Sequence, residues 1–169
     1  AVYSSEELYK ISCIILKNPS IMVLSDDIYE HIIYGKKNFF NILNVEPKLY
    51  DRVFLVNGVS KAFSMTGWRI GYGAGSFEII KAIAKIQSQS TTNPCSISQM
   101  AAKFALDSQK DFLTQWIKKF EERKNFLINF FKSNSGFNTF DPNGAFYLYV
   151  SCEGFIDKEY DNKKIKNDI

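Results

Sequence analysis

The chain has 169 residues, of which 46% are hydrophobic and 23% charged, a balance that fits a folded globular chain and excludes a disordered one. Twenty-one basic against eighteen acidic residues leave a net charge of +3, too even for a nucleic-acid surface. No apolar run reaches the roughly 20 residues that cross a bilayer, and AVYSSEELYK has no secretory-signal pattern, so neither nucleic acid nor membrane is an expected partner.

Ser4 and Glu7 form a capping-box pattern, and Leu8, Ile11 and Ile15 recur at helical spacing to about Lys17. Asn18-Pro19-Ser20 breaks the chain. IMVL, residues 21–24, then reads as a strand buried on both faces whose carboxyl end carries Asp26 and Asp27. A polar, irregular connection with Gly35 and Pro47 leads to VFLV, residues 53–56, a second buried strand ending at Asn57-Gly58. Arg69 to Gly75 reads as a third strand returning beside it. Ser76 is placed to cap a helix with Ile79, Ile80, Ile83 and Ile86 on one side, and a further helix is expected over Ser96 to Leu106. Phe112, Trp116, Phe120, Leu127 and Phe131 mark a long amphipathic helix that stops before Gly136. AFYLYVS, residues 145–151, alternates like a half-exposed strand, and the mixed charges from Asp157 to Ile169 read as a solvated surface.

Cys13, Cys95 and Cys152 are odd in number, far apart and without metal-ligand spacing, so they read as buried thiols of a reducing cytoplasm. His31 is the single histidine, which leaves little for a Ser-His-Asp or histidine metal site; it reads as structural. Trp68 and Trp116 read as core aromatics. Gly71, Gly73 and Gly75 hint at a dinucleotide loop, but Ser76 stands where the third glycine is needed, and close backbone packing explains them better.

The chemistry gathers at strand ends. In open α/β sheets ligands bind beyond the carboxyl ends of the strands. Here two such ends carry Asp26 with Tyr29, and Ser60 with Lys61, while Arg69 follows eight residues after the lysine. Alone, Lys61 would be a surface lysine, Asp26 a turn residue, Tyr29 core packing and Arg69 an ion-pair member. Together they suit a ligand that is anionic at one end, basic and aromatic in the middle, and carries a carbonyl for an amine to attack. Pyridoxal 5′-phosphate meets those demands. Lys61 would form the Schiff base, favoured by desolvation and a neighbouring guanidinium. Arg69 and Ser60 would hold the phosphate, Asp26 the protonated ring nitrogen and Tyr29 the phenolic oxygen.

At these residues the chain resembles a known family. SDDIYEHIIYG (25–35) and VNGVSKAFSMTGWRIGYGAG (56–75) are similar to the signatures of class I aminotransferases, the aspartate aminotransferase family of fold-type I enzymes; SQSTTNPCSISQMAA (88–102) and GAFYLYV (144–150) resemble further family segments. The resemblance implies an α/β fold with a mostly parallel sheet, helices on both faces, and part of a smaller α+β domain. It implies the carboxyl-terminal part of a large cofactor-binding domain over residues 1–107, a linking helix over 108–133 and the start of a small domain over 134–169. It implies pyridoxal 5′-phosphate as cofactor, Lys61 as the catalytic lysine, Asp26, Tyr29 and Arg69 as cofactor ligands, amino-acid and 2-oxo-acid substrates, and a cytoplasmic homodimer.

Two departures stand out. Many members place a phosphate-binding serine three residues before the lysine, where this chain has Gly58. The chain also lacks the family's Asn-Pro-x-Gly loop and its distal carboxylate-binding arginine, so an internal piece of an aminotransferase, inactive alone, is expected. Aspartate with 2-oxoglutarate is the expected substrate pair, with prephenate, aromatic amino acids or alanine as alternatives. Another Schiff-base enzyme, such as an aldolase, would leave Asp26 and Arg69 unexplained, and a non-catalytic remnant is the remaining alternative.

Overall fold

Residues 2–35 and 37–167 are described by the computed structural model of the chain. Ser4 caps the first helix, α1 (Ser5–Lys17). Its hydroxyl accepts from the Glu7 amide at 3.2 Å, while the Glu7 carboxylate accepts from the Ser4 amide at 2.8 Å. Two amides that the helix leaves unpaired are satisfied by this exchange. Leu8 and Ile15 turn inward onto Ile42, Leu49 and Val53, forming one apolar cluster. Ile42 belongs to a short helix, α2 (Ile42–Val45), and Leu49 to a 3-10 turn over Pro47–Arg52. The connection expected to be irregular therefore contributes two core residues. Arg52 ties it to α1 by donating to the carbonyls of Ile15 at 3.1 Å and Asn18 at 3.0 Å.

Strand β1 (Val23–Asp26) runs parallel to β2 (Val53–Gly58), and β3 (Gly71–Ala74) returns antiparallel on the far side of β2. The returning third strand is as expected. β1 differs from expectation in two respects. It starts two residues late, because the Ile21 amide is engaged in a turn with the Asn18 carbonyl at 3.1 Å. Nor is it buried on both faces: Val23 packs on the α1 cluster, but Leu24, pointing the other way, is 68% exposed. β1 is an edge strand here, with cover on one side only.

Gly73 of β3 and Gly75 just past it are explained by Phe54. A Cβ on Gly75 would stand 2.8 Å from the Phe54 ring, and one on Gly73 would run into the same ring. Close packing is the reason for glycine at both positions.

Beyond the sheet, α3 (Phe77–Ser88), α4 (Ser96–Asp107) and α5 (Asp111–Ser133) occupy the expected places. α4 supplies Ala102 and Ala105 to a second cluster around Val59. The strand expected over 145–151 shrinks to β5 (Val150–Ser151), paired with β4 (Asn138–Thr139). The cause is a competing attachment. Ala145 donates to the Ile32 carbonyl at 2.8 Å, Gly144 bridges Ile33, and Ala145 takes a left-handed backbone at φ 57°. Strands β6 (Glu159–Tyr160) and β7 (Lys163–Lys164) close the described chain as an exposed hairpin, turned by Asp161 and Asn162 at positive φ.

Three further expectations are corrected. Cys95 is exposed at the start of α4, and Cys13 and Cys152 are half-buried, so none is a fully buried thiol. Trp68 is 44% exposed in a 3-10 turn over Thr66–Trp68, and Trp116 is 38% exposed on α5, edge-on to Phe112. Neither is a core aromatic within these residues.

His31, expected to be structural, follows Glu30 in the turn after β1. Half-buried, it meets Phe63 edge-on at 6.3 Å between centroids and lies 3.3 Å from Glu30. Burial depresses its pKa below the usual imidazole value, outweighing the opposite pull of Glu30. A depressed pKa means that the folded state binds fewer protons than the unfolded one. Stability is thus present above about pH 6.5 and is lost as the pH falls. The urea midpoint should drop between about pH 7.5 and about pH 5.5, and His31→Gln should flatten that slope; an unchanged slope in the variant would place the dependence elsewhere. In the sheet, Gly73→Ala should cost about 1–3 kcal/mol by overpacking Phe54. Adding Phe54→Leu should recover part of that loss, and additive losses would argue against the contact.

Candidate active site

Because β1 and β2 are parallel, their carboxyl ends open at the same edge of the sheet. β1 ends on Asp26 itself. Its carboxylate accepts from the Ile28 amide at 3.2 Å, which bends the chain into the turn carrying Tyr29. The turn is fixed further by the Glu30 amide on the Asp27 carbonyl at 2.8 Å and the Ile32 amide on the Tyr29 carbonyl at 2.9 Å. β2 ends at Gly58, and the next residues form a turn closed by the Phe63 amide on the Val59 carbonyl at 3.2 Å. Val59 and Ala62 are buried, so the turn is pinned on both sides of Ser60 and Lys61, which stay half-buried.

The Lys61 ammonium lies 6.0 Å from the centroid of the Tyr29 ring and 5.3 Å from that of Phe146. Tyr29 sits edge-on to Phe146 at 5.3 Å and to Tyr147 at 5.6 Å, and its hydroxyl donates to that of Tyr147 at 2.8 Å. Burial pushes the Tyr29 pKa well above the ordinary phenol value; the Tyr147 hydrogen bond and the Asp26 charge add to the shift. Tyr29 therefore keeps its proton and remains a donor across the physiological range. Lys61, Tyr29 and Asp26 are gathered at one edge.

Arg69 and Ser60 both lie on the connection between β2 and β3. Arg69 adopts a left-handed backbone at φ 51°, is exposed, and donates through Nη1 to the Thr66 carbonyl at 2.8 Å. Neither side chain is hydrogen-bonded to Lys61, Tyr29 or Asp26 among the described residues.

A polar layer supports the trio. Asp27 faces the opposite side of β1 from Asp26 and accepts from the Ser25 hydroxyl at 2.8 Å and from the Asn41 amide group. Burial raises the Asp27 pKa, and those two hydrogen bonds pull it back. Asn57 donates to Glu30 at 2.9 Å and accepts from the Gly58 amide at 2.7 Å. At Gly58, a Cβ would lie 3.2 Å from each of the Gly71 Cα, the Ile28 Cδ1 and the Ile70 carbonyl. Glycine suits this crowded spot better than serine does.

Two residues at the site escaped sequence reasoning, Phe146 and Tyr147. The aromatic run containing them is conspicuous, but Tyr29 and Tyr147 are 118 positions apart. Local periodicity has no means of relating them. Among the described residues no group of His, Cys, Asp and Glu is arranged to hold a metal ion, and no helix is long and apolar enough to cross a membrane.

The chain matches the family model for aminotransferase class I and II over residues 1–163. It is 46% identical over 167 residues to a probable aspartate/prephenate aminotransferase of Rickettsia bellii, covering 99% of this chain and 42% of that protein. An aspartate/prephenate aminotransferase of Cereibacter sphaeroides is 42% identical over 158 residues, 94% of this chain and 40% of that protein. The crystal structure of the aspartate aminotransferase from Rhizobium meliloti superposes with a TM-score of 0.96 at 41% identity, over 99% of this chain and 42% of that one. The chain thus spans 40–42% of the length of these relatives. With the model matched from residue 1 to residue 163 and the α/β fold shared, the chain belongs to the class I and II aminotransferase family.

Proposed function

We propose that these residues are the lysine-bearing part of an aminotransferase that moves an amino group between an amino acid and a 2-oxo acid with pyridoxal 5′-phosphate as cofactor. The observation that carries this is the placement of Lys61, half-buried just past β2, with its amine beside Tyr29 and next to the strand that ends in Asp26. The donor set suits the cofactor: Lys61 as covalent partner of its aldehyde, Asp26 for a protonated ring nitrogen, and Tyr29 for a phenolic oxygen. Arg69 uses one of its five N–H groups on Thr66, and its remaining donors, together with the Ser60 hydroxyl, would serve a phosphate.

When bound, the cofactor supplies a sink for the electrons released at the substrate α-carbon. Once the incoming substrate amine had replaced Lys61 at the aldehyde, the freed Lys61 Nζ would take the proton from that carbon, a general-base role worth about 10²–10⁴-fold. Tyr29, held protonated by its environment, donates without ionising. The Asp26 carboxylate accepts from the ring N–H and keeps that proton in place.

Aspartate with 2-oxoglutarate is the proposed substrate pair; the names of the relatives support aspartate as amino donor and prephenate as a second oxo-acid partner. On the same reading, residues 1–107 belong to the large cofactor-binding domain, 108–133 link the domains and 134–169 begin the small one. A cytoplasmic homodimer is proposed for the whole enzyme; the uncovered apolar side chains of α3 are consistent with further contacts there.

Borohydride reduction in the presence of pyridoxal 5′-phosphate, followed by peptide mapping, should place the label on Lys61. Label on any other lysine overturns the assignment. Lys61→Ala should retain part of the cofactor affinity through Asp26 and Arg69 and lose repeated turnover.

A further inference from the structure

Tyr147 reaches the site from a distant part of the chain, and its anchoring is firm. The Tyr34 amide donates to the Asn143 carbonyl at 2.9 Å, the Ala145 amide to the Ile32 carbonyl at 2.8 Å, and the Tyr34 hydroxyl to the Ala145 carbonyl. Phe146 stacks on Phe120 of α5, with centroids 5.7 Å apart and rings 29° from parallel. The segment is therefore tied down immediately before the tyrosine whose ring meets Tyr29.

The two hydroxyl oxygens, 2.8 Å apart, carry two protons, and only one of them lies between the oxygens. If Tyr29 donates to an anionic oxygen of a ligand, its proton leaves the pair. The contact then survives only with Tyr147 as donor. We propose that Tyr147 is a positioning residue for Tyr29: its hydroxyl rotates to donate to the Tyr29 oxygen, fixing and polarising the O–H that Tyr29 presents to the ligand's phenolic oxygen. This rests on the cofactor reading given above. A donor that itself accepts a hydrogen bond is strengthened, because successive hydroxyl dipoles polarise one another. The geometry also explains the identity of Tyr147. Phenylalanine would pack equally well against Tyr29 edge-on, but would leave the Tyr29 oxygen without its second partner.

The test is the pH at which the visible band of the complex with pyridoxal 5′-phosphate changes form, measured on the protein in the longest form its gene encodes. A hydroxyl that donates to an anionic oxygen favours the form with the proton off. Tyr29→Phe should therefore move the midpoint to higher pH by about one unit, and Tyr147→Phe should move it in the same direction by about half a unit. The double variant should match Tyr29→Phe alone, since Tyr147 acts through Tyr29. A shift with Tyr29→Phe but none with Tyr147→Phe overturns the proposal and leaves the cofactor reading standing. So does a double variant in which the two shifts add. Failure of the unaltered protein to give a visible band at all overturns the cofactor reading, and the role of Tyr147 with it.

Discussion

In the parallel ladder of β1 and β2, Val23 lies opposite Val53 and Asp26 opposite Val56, and the Asp27 amide extends the pairing by donating to the Val56 carbonyl at 2.8 Å. Side chains alternate along a strand, so this register decides which of two adjacent carboxylates faces the site. As it stands, Asp27 shares a face with Ser25 and is bonded to Asn41, whereas Asp26 is on the other face beside the Tyr29 turn. A slip of one residue would exchange them. The register is itself held from below, by Val23 and Val53 in the cluster that α1 and the Ile42–Leu49 connection complete.

The second strand end depends on different forces. Past Gly58 the chain has no ladder to hold it, and the turn bearing Lys61 is fixed by burial of Val59 and Ala62. Val59 packs against Ala102 and Ala105 of α4, small residues that permit a close approach. The half-buried lysine is thus a consequence of its neighbours. A flexible side chain confined by two buried anchors and two aromatic rings has fewer conformations to lose when it bonds a ligand.

Features set by neighbouring residues were legible in the sequence. The Ser4–Glu7 cap, the β2 run, the returning β3 and the helices α3 to α5 follow from spacing and turn residues within a few positions. So does the placing of Asp26 and Lys61 at strand ends. What long-range contacts decide was not legible. AFYLYVS alternates like a strand, yet Ala145 is recruited by the Ile32 backbone and the alternation is never used in a ladder. Phe146 and Tyr147 consequently enter the site unannounced. Burial failed for a related reason: apolar runs were expected to be covered on both faces, but β1 is at an edge here and Leu24 meets solvent. Whether Arg69 and Ser60 serve a phosphate is legible only as chemistry, since neither side chain bonds to the central trio.

On the proposed function, the β1–β2 register and the anchored turn would bring Asp26 and Lys61 to opposite parts of one ligand. A crystal structure of the protein grown with pyridoxal 5′-phosphate tests it most directly. Continuous density from Lys61 Nζ to the cofactor, with an Asp26 carboxylate oxygen within about 3 Å of the ring nitrogen, is the predicted result. Cofactor joined to Lys61 with its ring nitrogen facing solvent or a residue other than Asp26 would rule out that pairing.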